Sequence, residues 1–347
     1  MRERLGRTLG RLARARQTRD RNRPIVLLYH RLGHVAADPQ LLSVTAEHFE
    51  EHLRLIGEHY VPVRLGDLVA AAAQGRAPAR AVAITFDDGY ADNLLAAKPL
   101  LERNGTPATV FVVSGYVRSG RPFWWDELER LLLGPGRLPS VLTLEVGRET
   151  LVWELGEDAV YTAVRAADRT AWTVLDDGDP GTRQRIYRVL CARVRVLDEM
   201  ERERALDSLR AVVDPEGTET EMPRPLTSEE VARLADGDLI DVGAHTVTHP
   251  ALSQLPAERQ RVEIAGSKRQ LEEILGRAVS SFAYPYGTAA DFDETTVSLV
   301  RDAGFAQACS NVAGRVTQQT NPLRVPRVVV RDWSGDEFGR RLSTFAP

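Results

Sequence analysis

The chain has 347 residues, with 45 Lys and Arg against 49 Asp and Glu for a net charge of -4, and hydrophobic residues make up 43% of it. That length fits one α/β barrel carrying an insertion, the apolar fraction is that of a globular protein with a sizeable core, and the charge balance gives no case for nucleic-acid binding. Nothing approaches the roughly 20 consecutive apolar residues of a membrane span.

The first 23 residues differ from the rest. They hold nine arginines against two acids and lack the unbroken apolar run of a signal peptide. Leu5, Leu9 and Leu12 fall at helical spacing, so this basic tail suits either a frayed terminus or a short amphipathic helix resting on anionic lipid. The expectation is a cytoplasmic protein, with peripheral contact to the inner membrane face through that tail. Cys191 and Cys309 read as free buried thiols.

From Pro24 onward, strands alternate with helices. "PIVLLYH" reads as a core strand ending at His30, and "TAEHFEEHLRLIGEHY" as a helix capped by Thr45. An alanine-rich helix over 66–75 precedes the buried strand "AVAITF", the helix "NLLAAKPLLERNG" and the strand "ATVFVV". This rhythm predicts βαβ units and a mainly parallel sheet. It breaks between about 120 and 225, where "VLTLEV-GRE-TLVWEL" alternates as a hairpin and Ile186, Val189, Leu190, Val194 and Leu197 keep helical spacing. That stretch reads as an insertion packed against the sheet or capping it. The alternation resumes with "LTSEEVARLADG", "LIDVGAHT", a long helix from about 256 to 276, "SSFAYPYG", "ETTVSLVRDAGF", "QACS" and "RVVV". A tail (1–23) followed by one catalytic domain (24–347), interrupted at 120–225, is the expected organisation.

Three strand ends carry polar groups: His30, the pair Asp87–Asp88 before Gly89, and "AHTVTHP" with His245 and His249. Loops at the carboxyl ends of parallel strands form the active face of such folds. Two histidines four apart with one carboxylate match a catalytic zinc arrangement that leaves a position for water. The metal would offset the repulsion between adjacent carboxylates, one binding it and the other taking a proton from the attacking water. Gly89 would let the backbone turn tightly enough for both to reach one site.

"TFDDGY", "HTVTHP" and "FAYPYG" resemble, in order and spacing, the signature motifs of the NodB-homology polysaccharide deacetylases, carbohydrate esterase family 4. The resemblance runs from about 24 to 338 apart from the insertion. It implies a distorted (β/α) barrel of about seven strands with an inserted α+β segment. It further implies Asp87 as general base, and Asp88, His245 and His249 as ligands of one divalent ion, Zn2+ foremost, with Co2+ or Ni2+ as alternatives. The Tyr286 N–H would serve the oxyanion. Two positions depart from the family pattern: Ala283 stands where many members carry an orienting arginine, and no histidine follows His249. Arg327 is the candidate replacement for the first. For the second, "LLYHRL" is similar to the permuted branch of poly-N-acetylglucosamine deacetylases, whose acid histidine lies on the N-terminal strand, which assigns His30; His34 is a second candidate. His48, His52 and His59 read as surface or packing residues. Tyr284, Trp333 and Trp124 are candidate substrate contacts, and Trp124 with Trp125 suits a hydrophobic anchor for the insertion equally well. The resemblance implies an N-acetylated saccharide as substrate and N-deacetylation as the reaction. A non-catalytic carbohydrate-binding protein on this fold and a hydrolase of non-sugar amide bonds are the competing readings, and the oligomeric state is not legible.

Overall fold

The computed structural model describes residues 22–214 and 222–345. The Leu5–Leu9–Leu12 tail reading therefore lies outside the described residues. Short apolar runs give eight strands: β1 (Ile25–Tyr29), β2 (Val61–Pro62), β3 (Ala81–Phe86), β4 (Ala108–Val112), β5 (Ile240–Ala244), β6 (Ser281–Ala283), β7 (Gln307–Cys309) and β8 (Val328–Val329). All pair in parallel, in the order β7-β6-β5-β4-β3-β1-β8, with β2 joining the first half of β3. The fold is a distorted (β/α) barrel. Its seam between β7 and β8 is irregular. The 322–327 segment crosses it, with Val325 N–H donating to Ala308 O at 2.8 Å and Ser310 N–H to Val325 O at 2.9 Å.

Every residue of β1, β3 and β4 is buried, as expected for strands covered on both faces. Helices pack around them. Ala46–His59 is started by Thr45, whose hydroxyl accepts from the His48 N–H, and it buries Phe49, His52, Leu53 and Ile56. After the insertion, Ser228–Leu234 restarts the alternation from a reciprocal capping box between Thr227 and Glu230. Losing that cap in Thr227→Ala should cost about 1 kcal/mol, read from urea unfolding; an unchanged midpoint would contradict it. Sequence reading missed β2 and the helix Ser114–Ser119, both short, and the C-terminal helix Gly335–Thr344, which is amphipathic and buries Phe338 and Leu342.

Residues 120–225 build a second apolar cluster. The helix Trp124–Leu133 packs with Thr182–Val194 and Glu199–Val213, and these two helices pack on the hairpin Val141–Val146/Glu149–Glu154. Leu142, Leu144 and Val146 face inward while Thr143 and Glu145 face out. Arg183, fully buried, gathers the carbonyls of Leu132, Gly134, Gly136, Asp158 and Ala159 and lies over the Tyr161 ring at 4.1 Å. Tyr90 and Val113 of the barrel belong to this cluster too, so the segment is packed onto the barrel rather than tethered beside it.

Candidate active site

Strand register assembles the site. Tyr29 pairs with Phe86, so His30 and Asp87 follow side by side at the ends of β1 and β3, where Asp87 N–H donates to Tyr29 O at 2.9 Å. Ala244 pairs with Val112 and Phe282, which sets His245 beside Ala283. The His245 Nδ1 donates to the Ala283 carbonyl at 2.8 Å; a carbonyl only accepts, so Nε2 is left with its lone pair facing the cleft. Asp88 Oδ1 lies 3.6 Å from His245 Nε2 and 3.4 Å from His249 Nε2. Asp88, His245 and His249 place one donor atom each within 4.8 Å of one another, all three residues buried.

The two aspartates have opposite environments. Burial alone would push Asp87 up, but Arg327 more than offsets it and holds the carboxyl below its ordinary 3.8. Arg327 is fully buried and forks onto both Asp87 oxygens at 2.7 Å. Its remaining donors go to Ser310 O at 3.0 Å, Asn311 Oδ1 at 2.8 Å and Thr85 Oγ1 at 3.3 Å. For Asp88, burial first and Asp87 next push the carboxyl well above 3.8. A buried carboxylate facing two imidazole nitrogens could hold a divalent cation, and a bound cation would oppose the upward shift. His30 is pushed down to about 3, first by burial, with Asp87 opposing and Arg331, Arg327 and His245 adding to it.

The backbone is strained at this place. Among the described residues, the non-glycine positions with positive φ are Leu41, Arg80, Asp88 (72°), Thr246 (65°), His249 (59°) and Tyr286 (58°). Four of those six lie in the Asp–Asp, His–His and "YPYG" loops. Each such conformation costs about 1–3 kcal/mol and persists only where the surroundings enforce it. Gly89, at φ 79°, has Val112 so close that a Cβ would sit 3.1 Å from its side chain, which accounts for the glycine of "DDG".

A cleft of about 290 Å³ opens over these groups, lined by His30, Asp87, Asp88, His245, His249 and Tyr286. Its opposite wall comes from the insertion and includes Trp124, Trp125, Cys191 and Arg195. Trp124 is nearly fully buried, its indole N–H without a partner, so it is both an anchor of the second cluster and part of the wall. Two other candidates do not reach the cleft. Tyr284 is buried in the barrel core, stacked on Phe292 at 4.0 Å, with its hydroxyl donating to Leu323 O at 2.9 Å. Trp333 packs beside the helix Ala46–His59, its carbonyl held by His52 at 2.7 Å and its ring under Arg341. His34 is exposed near Glu47, and His48 pairs with Asp332 at 2.6 Å. His59 is exposed as well. His52 is packed on Phe338 at 4.0 Å. Both cysteines are free.

Asn311 escaped the sequence reading although it follows β7 directly. It accepts from Arg327 and donates to the Tyr286 carbonyl at 2.6 Å, tying the Asp87 partner to the "YPYG" turn. A polar residue just past the carboxyl end of a barrel strand was the available signal.

The family model for polysaccharide deacetylases matches residues 74–134 and 208–308, two segments carrying "TFDDGY" and "HTVTHP" on either side of most of the insertion. Those two segments, a little under half of the chain, match the polysaccharide deacetylase family. Among curated relatives, Bacillus subtilis (strain 168) YxkH, itself described as a putative polysaccharide deacetylase, is 31% identical over 120 residues, which span 34% of this chain and 42% of that protein. Solved deacetylase structures share the fold along nearly all of the chain. Streptococcus pyogenes deacetylase PplD, in complex with acetate, superposes with a TM-score of 0.57 at 16% identity, covering 92% of this chain and 98% of its own. IcaB from Ammonifex degensii gives 0.55 at 18% identity, covering 93% and 98%. The putative polysaccharide deacetylase BA0330 from Bacillus anthracis gives 0.55 at 14% identity, covering 92% and 69%. Like those structures, the chain is an α/β barrel, and among its described residues no helix is long and apolar enough to cross a membrane.

Proposed function

We propose that the protein is a metal-dependent hydrolase that removes N-acetyl groups from an amino-sugar-containing saccharide, with catalysis at the Asp87–Asp88–His245–His249 cluster. The observation that carries this reading is the pairing of a converging donor triad with an aspartate held ionised by Arg327. Asp88, His245 and His249 would hold one divalent ion, Zn2+ foremost. Bound there, such an ion supplies a Lewis acid and acidifies a neighbouring water.

The chain's own groups then divide the work. Asp87, kept as carboxylate, takes the proton of the attacking water. The Tyr286 N–H would donate to the oxygen of the acetamide as charge develops on it. His30 rests as a neutral imidazole, with one N–H and one lone pair, so it gives a proton to the departing nitrogen only in exchange for another. Asp87, its neighbour across the strand register, is the source. Trp124 would give the sugar an apolar wall. The likeness of "LLYHRL" to the poly-N-acetylglucosamine deacetylase branch favours that class of amino sugar. The basic first 23 residues suit a substrate presented at an anionic membrane; failure to sediment with anionic vesicles would argue against that.

The deciding assay is acetate release from N-acetylglucosamine oligomers by protein reconstituted with Zn2+, Co2+ or Ni2+. Release that requires the ion supports the reading. Saccharide binding without release points to a non-catalytic binding protein, and release only from non-sugar amides moves the substrate class. In the same assay His30→Ala should lower kcat about 10²–10⁴-fold, the usual worth of a general acid, without loss of metal. Full turnover in that variant removes His30 from the mechanism.

A further inference from the structure

The two histidines of the candidate centre are held in different ways. A ligating imidazole ordinarily donates its second N–H to a fixed acceptor, which sets the ring orientation. His245 does so through Ala283. The His249 Nδ1 is buried and, among the described residues, has no hydrogen-bond partner on any other residue. Its ring is instead enclosed by aromatic faces: Trp125 at 4.9 Å, Tyr286 at 4.8 Å and His245 at 4.9 Å between centroids. Orientation by packing is only as good as the fixity of the neighbours.

Trp125 belongs to the insertion, and it is fixed by a buried polar chain that ends on the barrel. The Trp125 indole N–H donates to the Tyr90 hydroxyl at 2.7 Å, and that hydroxyl donates to Asp126 Oδ2 at 2.8 Å. Arg31 Nη1 donates to Asp126 Oδ1 at 2.8 Å and its Nε to Ser43 Oγ at 2.7 Å. Trp125, Tyr90, Asp126 and Arg31 are each no more than 5% exposed. Tyr90 lies two residues beyond Asp88, and Arg31 directly follows His30. Phe123, stacked on Trp125 at 4.9 Å, closes the other side of the indole.

We propose that Trp125, locked by the Tyr90–Asp126–Arg31 chain, is the positioning element that holds His249 in its metal-ligating orientation, so that the insertion is a working part of the metal centre. This rests on the reading of His249 as a ligand. The insertion thereby takes the place of the missing hydrogen-bond acceptor: the fold orients one ligand histidine with a barrel carbonyl and the other with an inserted aromatic wall. Outer partners of ligand histidines are commonly worth about 10–100-fold in metal affinity.

The test is the Zn2+ dissociation constant of the full chain, measured by competition with a chromophoric chelator, with no turnover involved. Trp125→Leu should weaken Zn2+ about 10–100-fold, and Asp126→Asn, nearly isosteric, should weaken it by more than about threefold. Leu144→Ala, a cavity in the insertion core away from His249, should lower the melting temperature yet leave the constant within about threefold of wild type. Should Trp125→Leu fail to fold, Asp126→Asn decides. Unchanged affinity in both site variants, or equal weakening in Leu144→Ala, overturns the positioning role while the metal reading stands. A wild-type chain that takes up no Zn2+ overturns the metal reading, and the proposal falls with it.

Discussion

Replacing Asp88, His245 and His249 together with alanine should give a folded chain that holds no divalent ion, where the wild type holds about one per chain by elemental analysis. The three side chains are buried and their donors converge, with Asp88 3.4 and 3.6 Å from the two imidazoles. Removing them takes away the whole donor set at once, so no residual site of comparable affinity is expected among the described residues. The variant should not be unstable for electrostatic reasons. Asp88 is pushed well above its ordinary value by burial and by Asp87, so its charged form is disfavoured in the metal-free protein and deleting it strands no needed charge. Loss of ion with the melting temperature of the metal-free wild type retained is the expected pair of results. An equal metal content in both proteins would place the ion elsewhere and remove the basis of the proposed reaction.

Arg327→Ala should produce the opposite combination: metal retained, but stability and turnover both lost. Arg327 is fully buried and makes a two-point ion pair with Asp87, which is itself buried. Removing one partner of such a pair costs about 3–5 kcal/mol, because the other charge is left in the interior. Asp87 would escape that cost by binding a proton, and a protonated Asp87 is no base. We expect kcat at neutral pH to fall about 10²–10⁴-fold. The sign of the pH response follows from the direction of the shift. Wild-type Asp87 lies below 3.8, so its contribution to stability is present above that value and lost as pH falls through its depressed one. Without Arg327 the same carboxyl moves up, and the acid limb of the rate profile should move to higher pH with it. Arg327→Lys, which keeps the charge and loses the fork, should recover stability better than rate. Unchanged turnover in Arg327→Ala would show that Asp87 needs no partner to stay ionised.

Arg327 also shows what the sequence could and could not convey. The need for a cation beside Asp87 was legible from Ala283 standing where the family carries arginine. The structure places Arg327 there, immediately before β8, its guanidinium over the Phe111 ring that Ala283 also packs against. The catalytic loops were legible because strand ends, paired acids and a four-apart histidine pair are local patterns. Tyr284 was not separable from Tyr286 in the same way. In a regular strand the two would share a face, but the turn at Tyr286, with φ 58°, breaks the alternation, leaving Tyr284 in the core and Tyr286 in the cleft. Trp333 lies away from the cleft for another reason: its ring is covered by Arg341 on the helix that follows, and its carbonyl is held by His52, far away in sequence. The insertion was least legible. Its periodicities give a hairpin and helices, yet the contacts that matter, Trp125 on His249 and Asp126 on Arg31, depend on how two cores meet.

The left-handed backbone at Asp88, Thr246, His249 and Tyr286 bears on how this protein would respond to selection. Those positions are a concentrated reserve of unfavourable conformation, and asparagine or glycine at any of them would relax it. A search for heat-resistant variants would therefore find easy gains beside the cleft, and those gains would come with looser ligands and slower turnover. Durable thermostability has to be sought elsewhere, in the helix caps and the surface of the barrel, where relaxing the chain costs the chemistry nothing.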